Sequence, residues 1–147
     1  MPDDTFLGHP VQTFPAGTRT AQEAAAAVGC AVGQIVKSLI FRGARTDVPL
    51  LVVVSGANRV NEARLSELVG EPIGKADADF VRAATGFAIG GVPPAGHATA
   101  IRALLDEDLL AYDTVWAAAG TPRDVIALTP AELERLSGGA VANVARR

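Results

Sequence analysis

Ile35-Val36-Lys37-Ser38-Leu39-Ile40-Phe41-Arg42, followed by Leu50-Leu51-Val52-Val53-Val54-Ser55, decides the fold class. Each run reads as a β-strand. The second is apolar on consecutive residues, which suits a strand covered on both faces. The first carries one cation among apolar neighbours. In an extended strand Lys37 shares a side with Leu39 and Phe41, while Ser38, Ile40 and Arg42 point the other way. An ammonium on that face is costly unless it reaches solvent, a partner or a ligand. Two readings stand: the stem snorkels to the surface, or Lys37 forms the floor of a cleft that binds a phosphate or a carbonyl.

Outward from these strands, residues 9–14 alternate loosely as a first strand, closed by Pro15-Ala16-Gly17. Thr18 or Thr20 caps a helix over 21–28, with Glu23 placed to complete a capping box with Thr20. Asn61 caps a helix over 62–69, ended by Gly70 and Pro72. Asp77 or Asp79 starts a short helix through Ala84, stopped by Gly86. Residues 101–105, 114–118 and 125–128 are strand candidates. Thr129-Pro130 opens a helix over 131–136, and 141–144 reads as a closing strand. Strands separated alternately by helices and short turns predict a mixed sheet with helices around it, an α/β (α+β) chain. A dinucleotide fold wants its Gly-rich turn after the first strand, and here the glycines come late.

At 147 residues, 49% of them hydrophobic, the chain is long enough to bury a core and reads as one domain over 1–147. The aliphatic run at 50–54 is too short to span a bilayer, and the acidic start Met1-Pro2-Asp3-Asp4 does not read as a signal peptide. A lone Cys30 permits no intramolecular disulfide, so the expected location is cytoplasmic. A net charge of −3 excludes coating of nucleic acid by bulk electrostatics. The charge is uneven, however. Lys37, Arg42, Arg45, Arg59, Arg64 and Lys75 oppose only four acids between residues 31 and 75. A local basic face can therefore hold a short phosphate backbone on an acidic molecule; scattered surface charge gives the same pattern.

A second segment carries chemistry: Ile89-Gly90-Gly91-Val92-Pro93-Pro94-Ala95-Gly96-His97. Paired glycines strip the backbone and paired prolines fix φ. The expected result is a stiff turn with uncovered amides at Gly90, Gly91 and Val92, suited to an oxyanion, carboxylate or phosphate. An ordinary Gly/Pro turn is the plainer reading. His97 at its end is either a base or a turn cap. Two histidines and one cysteine give no metal-ligand spacing, so neither metal nor cofactor is expected. Ser38, Ser55, Ser66 and Ser137 lack a nucleophile-elbow setting. Asp106-Glu107-Asp108 reads as a solvated helix start. Hydrolysis here would rest on water, backbone dipoles and the substrate's own groups.

Gln34-Ile35-Val36-Lys37-Ser38-Leu39-Ile40-Phe41, Val54-Ser55-Gly56, Thr85-Gly86-Phe87-Ala88-Ile89-Gly90-Gly91-Val92-Pro93-Pro94 and Thr114-Val115-Trp116 together resemble the YbaK/prolyl-tRNA editing domain family, in order and from about residue 18 to 144. The resemblance implies a mixed sheet curled into a barrel-like core with helices outside. It implies trans-editing: metal-independent hydrolysis of the ester of mischarged tRNA, chiefly tRNA for proline carrying a small amino acid. The family's essential lysine maps onto Lys37, and its Gly-x-x-x-Pro loop onto Gly90 to Pro94. Lys37, Gly90 and Gly91 are then the expected catalytic residues, and Val92, Pro93, Pro94, His97, Ala118 and Gly120 the expected substrate contacts. In this family the terminal ribose hydroxyl of the tRNA is thought to help activate the water.

The expected partners are the aminoacyl-tRNA acceptor end and prolyl-tRNA synthetase, with no membrane. Members usually begin with a longer N-terminal helix, so that helix is expected to be shortened here. Two other classes of function fit the same residues. One is a non-catalytic module that binds tRNA ends or a partner protein; the other is a binder of small carboxylates or phosphates.

Overall fold

The computed structural model describes residues 5–14 and 20–146; the expected Pro15-Ala16-Gly17 turn and the alternative cap Thr18 lie outside them. Among the described residues, nine strands form one mixed sheet: β1 (Thr5–Phe6), β2 (His9–Thr13), β3 (Ile35–Gly43), β4 (Pro49–Ser55), β5 (Ile73–Lys75), β6 (Arg102–Asp106), β7 (Val115–Ala118), β8 (Asp124–Leu128) and β9 (Ala140–Ala142). Four helices accompany it: α1 (Ala21–Val28), α2 (Glu62–Val69), α3 (Ala78–Thr85) and α4 (Pro130–Ser137). The strand order is β1-β2-β8-β7-β3-β4-β6-β9, with β5 added against β3. The path does not return on itself, so the sheet is open and not a closed barrel.

The helix starts follow from their caps. Thr20 Oγ1 accepts from Glu23 N (3.1 Å), and Thr20 N donates to Glu23 Oε1 (3.1 Å). Asn61 and Asp77, not Asp79, cap α2 and α3 through the amides of Arg64 and Phe80. Thr129 closes a second capping box, with Pro130 in the first turn of α4.

The sheet separates two apolar clusters, and β3 contributes to both by alternation. Val36 and Ile40 join Leu51, Val53, Leu105, Ile126, Val81 and Val92. Phe41 joins Leu50, Val52, Val54, Leu65 and Val144, with Leu39 packed against them. Val52, Val53 and Val54 have no exposed surface, as consecutive apolarity requires of a strand covered on both faces. Burying each such side chain contributes roughly 1.5–3 kcal/mol.

One strand has no counterpart among the expected elements, and one expectation needs correction. β5 is too short to register as a pattern, yet it pairs with β3 at Phe41, Arg42 and Gly43. Asp106 is fully buried, not solvated. It ends β6, and its carboxylate accepts from Ser55 N (3.0 Å), Asn58 Nδ2 (2.8 Å) and Asp108 N (2.9 Å). Three donors offset the cost of taking that charge out of water.

Candidate active site

The site begins with an unpaired strand edge. Along one side β3 pairs with β4 over seven consecutive positions, from Val36 to Arg42. Along the other, β7 pairs only with Ile35 and Val36, and β5 takes over only at Phe41. Gly56 N donates to Ile35 O (2.6 Å) across the β4 side. By antiparallel alternation the main-chain groups of Lys37 and Leu39 also turn toward β4, while those of Ser38 and Ile40 turn into the opening. A cleft of about 680 Å³ passes around this free edge. Lys37, Ser38 and Leu39 are half-buried there in a strand that is otherwise largely buried. Ser38 Oγ is itself buried with no hydrogen-bond partner among the described residues.

Lys37 lines the cleft and is held from the loop after β4. Its Nζ donates to Asn58 O at 2.7 Å. Asn58 is in turn tethered, its Nδ2 donating to Asp106 Oδ2 and Asp108 Oδ2, each at 2.8 Å. Burial pushes the Lys37 ammonium below its ordinary pKa, the nearby Arg59 adds to the fall, and the Asp106 carboxylate opposes it. Lys37 therefore neither snorkels freely nor sits unpaired. It is a partly desolvated cation with a fixed position and donor capacity left over, since an ammonium has three N–H groups.

The opposing wall is the loop after α3. Gly90 (φ +92°) lines the cleft and is exposed, whereas Gly91 to Ala95 are buried. The expectation of uncovered amides does not hold at Gly91, whose N–H donates to Ala88 O (3.0 Å) and closes a turn. No described group accepts from the amides of Gly90 or Val92. Gly91 is needed for close packing: a Cβ there would meet Gly120 O at 2.8 Å and Thr121 Cα at 2.9 Å. His97 is a cap, its Nε2 lying 2.7 Å from Pro93 O.

Of the expected site residues, Lys37, Gly90, Val92 and Ala118 line this one cleft, together with Trp116. Gly91, Pro93, Pro94, His97 and Gly120 do not line it. Gly91 packs against Gly120, which has Phe87 lying 3.2 Å from where its own Cβ would be. Reading the sequence alone misses Asn58 and Asp106. The one signal for them is an acid ending the apolar run Leu104-Leu105, and a polar residue in the turn after Ser55-Gly56. Of the basic residues between 31 and 75, Lys37, Arg59 and Lys75 reach the cleft, and Arg146 joins them from the far end of the chain.

The family model of the aminoacyl-tRNA editing domain matches residues 15–136. The uncharacterized protein YwhH of Bacillus subtilis (strain 168) is 33% identical over 127 residues, which is 86% of this chain and 80% of that protein. Among solved structures, a candidate trans-editing enzyme for prolyl-tRNA synthetase superposes with a TM-score of 0.89 at 52% identity, covering 95% of this chain and 87% of the other. The hypothetical protein APE2540 superposes with a TM-score of 0.86 at 33% identity, covering 94% and 91%. An open mixed sheet with a lysine-floored cleft, and a family match over most of the chain, lead to one conclusion: the protein belongs to the aminoacyl-tRNA editing domain family.

Proposed function

We propose that this protein acts in trans as an aminoacyl-tRNA deacylase, hydrolysing the ester of tRNA for proline that carries a small amino acid such as alanine or 2-aminobutyrate. The observation that carries this reading is the convergence of Lys37 with Gly90 and Val92 on one cleft, at the free edge of β3. The tRNA assignment draws on the likeness to the trans-editing structure. The whole chain serves as one editing domain in the cytoplasm, alongside prolyl-tRNA synthetase. Among the described residues no helix is long and apolar enough to cross a membrane.

An aminoacyl ester is already activated, so its hydrolysis needs a placed water and stabilisation of the carbonyl oxygen as it becomes anionic. The Gly90 and Val92 amides are the donors for that oxygen. Lys37, fixed by Asn58 O, orients the acceptor end through a spare N–H. The terminal ribose hydroxyl helps activate the water. Ile40, Val81 and Val92 give the cleft an apolar wall for a small side chain, with Ala118 also lining it. Pro93, Pro94 and His97 hold the loop in shape. Size exclusion of this kind separates side chains differing by one methylene by only about 1–3 kcal/mol.

The test is release of amino acid from a panel of mischarged tRNAs. Turnover is expected to be fastest on tRNA for proline bearing alanine or 2-aminobutyrate, with correctly charged prolyl-tRNA spared. Tight tRNA binding with no turnover across the panel would replace the deacylase by a non-catalytic tRNA-end binder.

A further inference from the structure

Resting on the deacylase reading, we propose that Arg59 and Arg146 form a phosphate-binding site at one mouth of the cleft. It takes the phosphodiester on the 5′ side of the terminal nucleotide, and so fixes the direction in which the acceptor strand enters. The two residues are far apart in sequence and adjacent in space. Arg146 N donates to Arg59 O at 2.6 Å, beside an antiparallel bridge between Val60 and Ala145. Two guanidinium stems therefore rise from neighbouring points of backbone, and both residues are exposed and line the cleft.

Their charge is uncommitted. Neither forms an ion pair among the described residues. Arg59 is close enough to press the Lys37 pKa down. The cleft lining carries four cations, Lys37, Arg59, Lys75 and Arg146, against Glu62 and one other carboxylate, in a chain whose net charge is −3, while the Asp106 carboxylate behind the lining acts on Lys37. The other lining acid, Asp124, already accepts from Thr13 and Thr121. Paired guanidinium forks match phosphate oxygens in a way that a lone ammonium cannot.

The cleft is thus polar at one end and apolar at the other. It runs from the two arginines past Lys37 on one face of β3, around the free edge, to Ile40, Val81 and Val92 on the other. A substrate with a phosphate at one end, an ester in the middle and a small aliphatic group at the other matches that order.

The experiment compares mischarged tRNA with the same amino acid esterified to adenosine, which has no phosphate. The double variant R59Q/R146Q leaves the main-chain bond between the two residues intact, and its thermal midpoint checks the fold. On tRNA its KM is expected to rise about tenfold or more with kcat within about twofold, the signature of lost uniform binding. The slope of log KM against log salt should flatten by about 0.7 for each phosphate no longer held. The loss on tRNA should exceed the loss on aminoacyl-adenosine by about tenfold, and R59K/R146K should restore most of the tRNA binding. An unchanged KM and salt slope on tRNA, or equal losses on both substrates, would overturn this site alone. Absence of wild-type turnover on either substrate would overturn the deacylase reading, and the site with it.

Discussion

The two walls of the cleft are built on opposite terms. The β3 wall supplies charge and hydrogen-bonding groups, because a strand loses its neighbour between Val36 and Phe41. The Gly90–Ala95 wall supplies shape and, at most, main-chain amides, because its backbone is packed against Gly120 and Thr121 with no room for one more carbon at Gly91. Chemistry on the first wall can be altered with the fold intact, whereas the second cannot be altered without moving its neighbours.

The sharpest way to separate the walls is Lys37→Met. It should lower kcat/KM by about a hundredfold or more, the scale of removing a preorganised electrostatic interaction, without lowering the thermal midpoint. The sign follows from the pKa. Burial holds the folded-state value below the unfolded one. The ammonium therefore costs stability at neutral pH, and that cost fades as pH rises from the lowered folded-state pKa to the ordinary lysine value. The variant's advantage in thermal midpoint should be present at neutral pH and vanish at high pH. In the wild type, the alkaline limb of activity should fall below the ordinary lysine range. A midpoint that drops sharply at neutral pH would instead make Lys37 a structural residue.

Gly91→Ala should show the reverse pattern, losing about 1–3 kcal/mol in denaturant unfolding and losing activity along with it. Full stability in that variant would mean the wall is looser than its close packing implies. Asn58→Ala tests the tether of Lys37 without touching the lysine. It removes the two side-chain bonds to Asp106 and Asp108 but keeps the main-chain carbonyl. A loss of about tenfold in kcat, larger than the change in KM, is expected if the bond positions Lys37 for the transition state. The smallest effect should come from His97→Ala: about 0.5–1.5 kcal/mol of stability for its bond to Pro93 O, and activity within a few-fold. A loss as large as that of Lys37→Met would return His97 to the chemistry.

Much of this arrangement is legible in the sequence. Capping residues, strand alternation and the late glycines locate α1 to α4, place Lys37 on the same face as Leu39 and Phe41, and mark the Gly90 loop as stiff. What is not legible depends on pairing between distant segments. Nothing local in Ile35–Gly43 tells that β7 leaves after Val36 and β5 arrives at Phe41, and that gap opens the cleft. Asp106 reads as solvated because its three donors come from Ser55, Asn58 and Asp108, two of them some fifty residues away in sequence. The amide of Gly91 reads as open because the turn that uses it depends on loop geometry, not composition. Arg146 reaches the cleft because residues 144–146 pair with the distant residues 59–61.

The role proposed for the cleft at the free edge of β3 is hydrolysis of mischarged tRNA with Lys37 as its anchor. The deciding quantity is the first-order rate of amino acid release from tRNA for proline mischarged with alanine, for wild type and Lys37→Ala side by side. Catalysed release by the wild type and a rate near the spontaneous background for the variant are expected. Equal rates for the two proteins, whether both fast or both at background, would contradict that role for the cleft and its lysine.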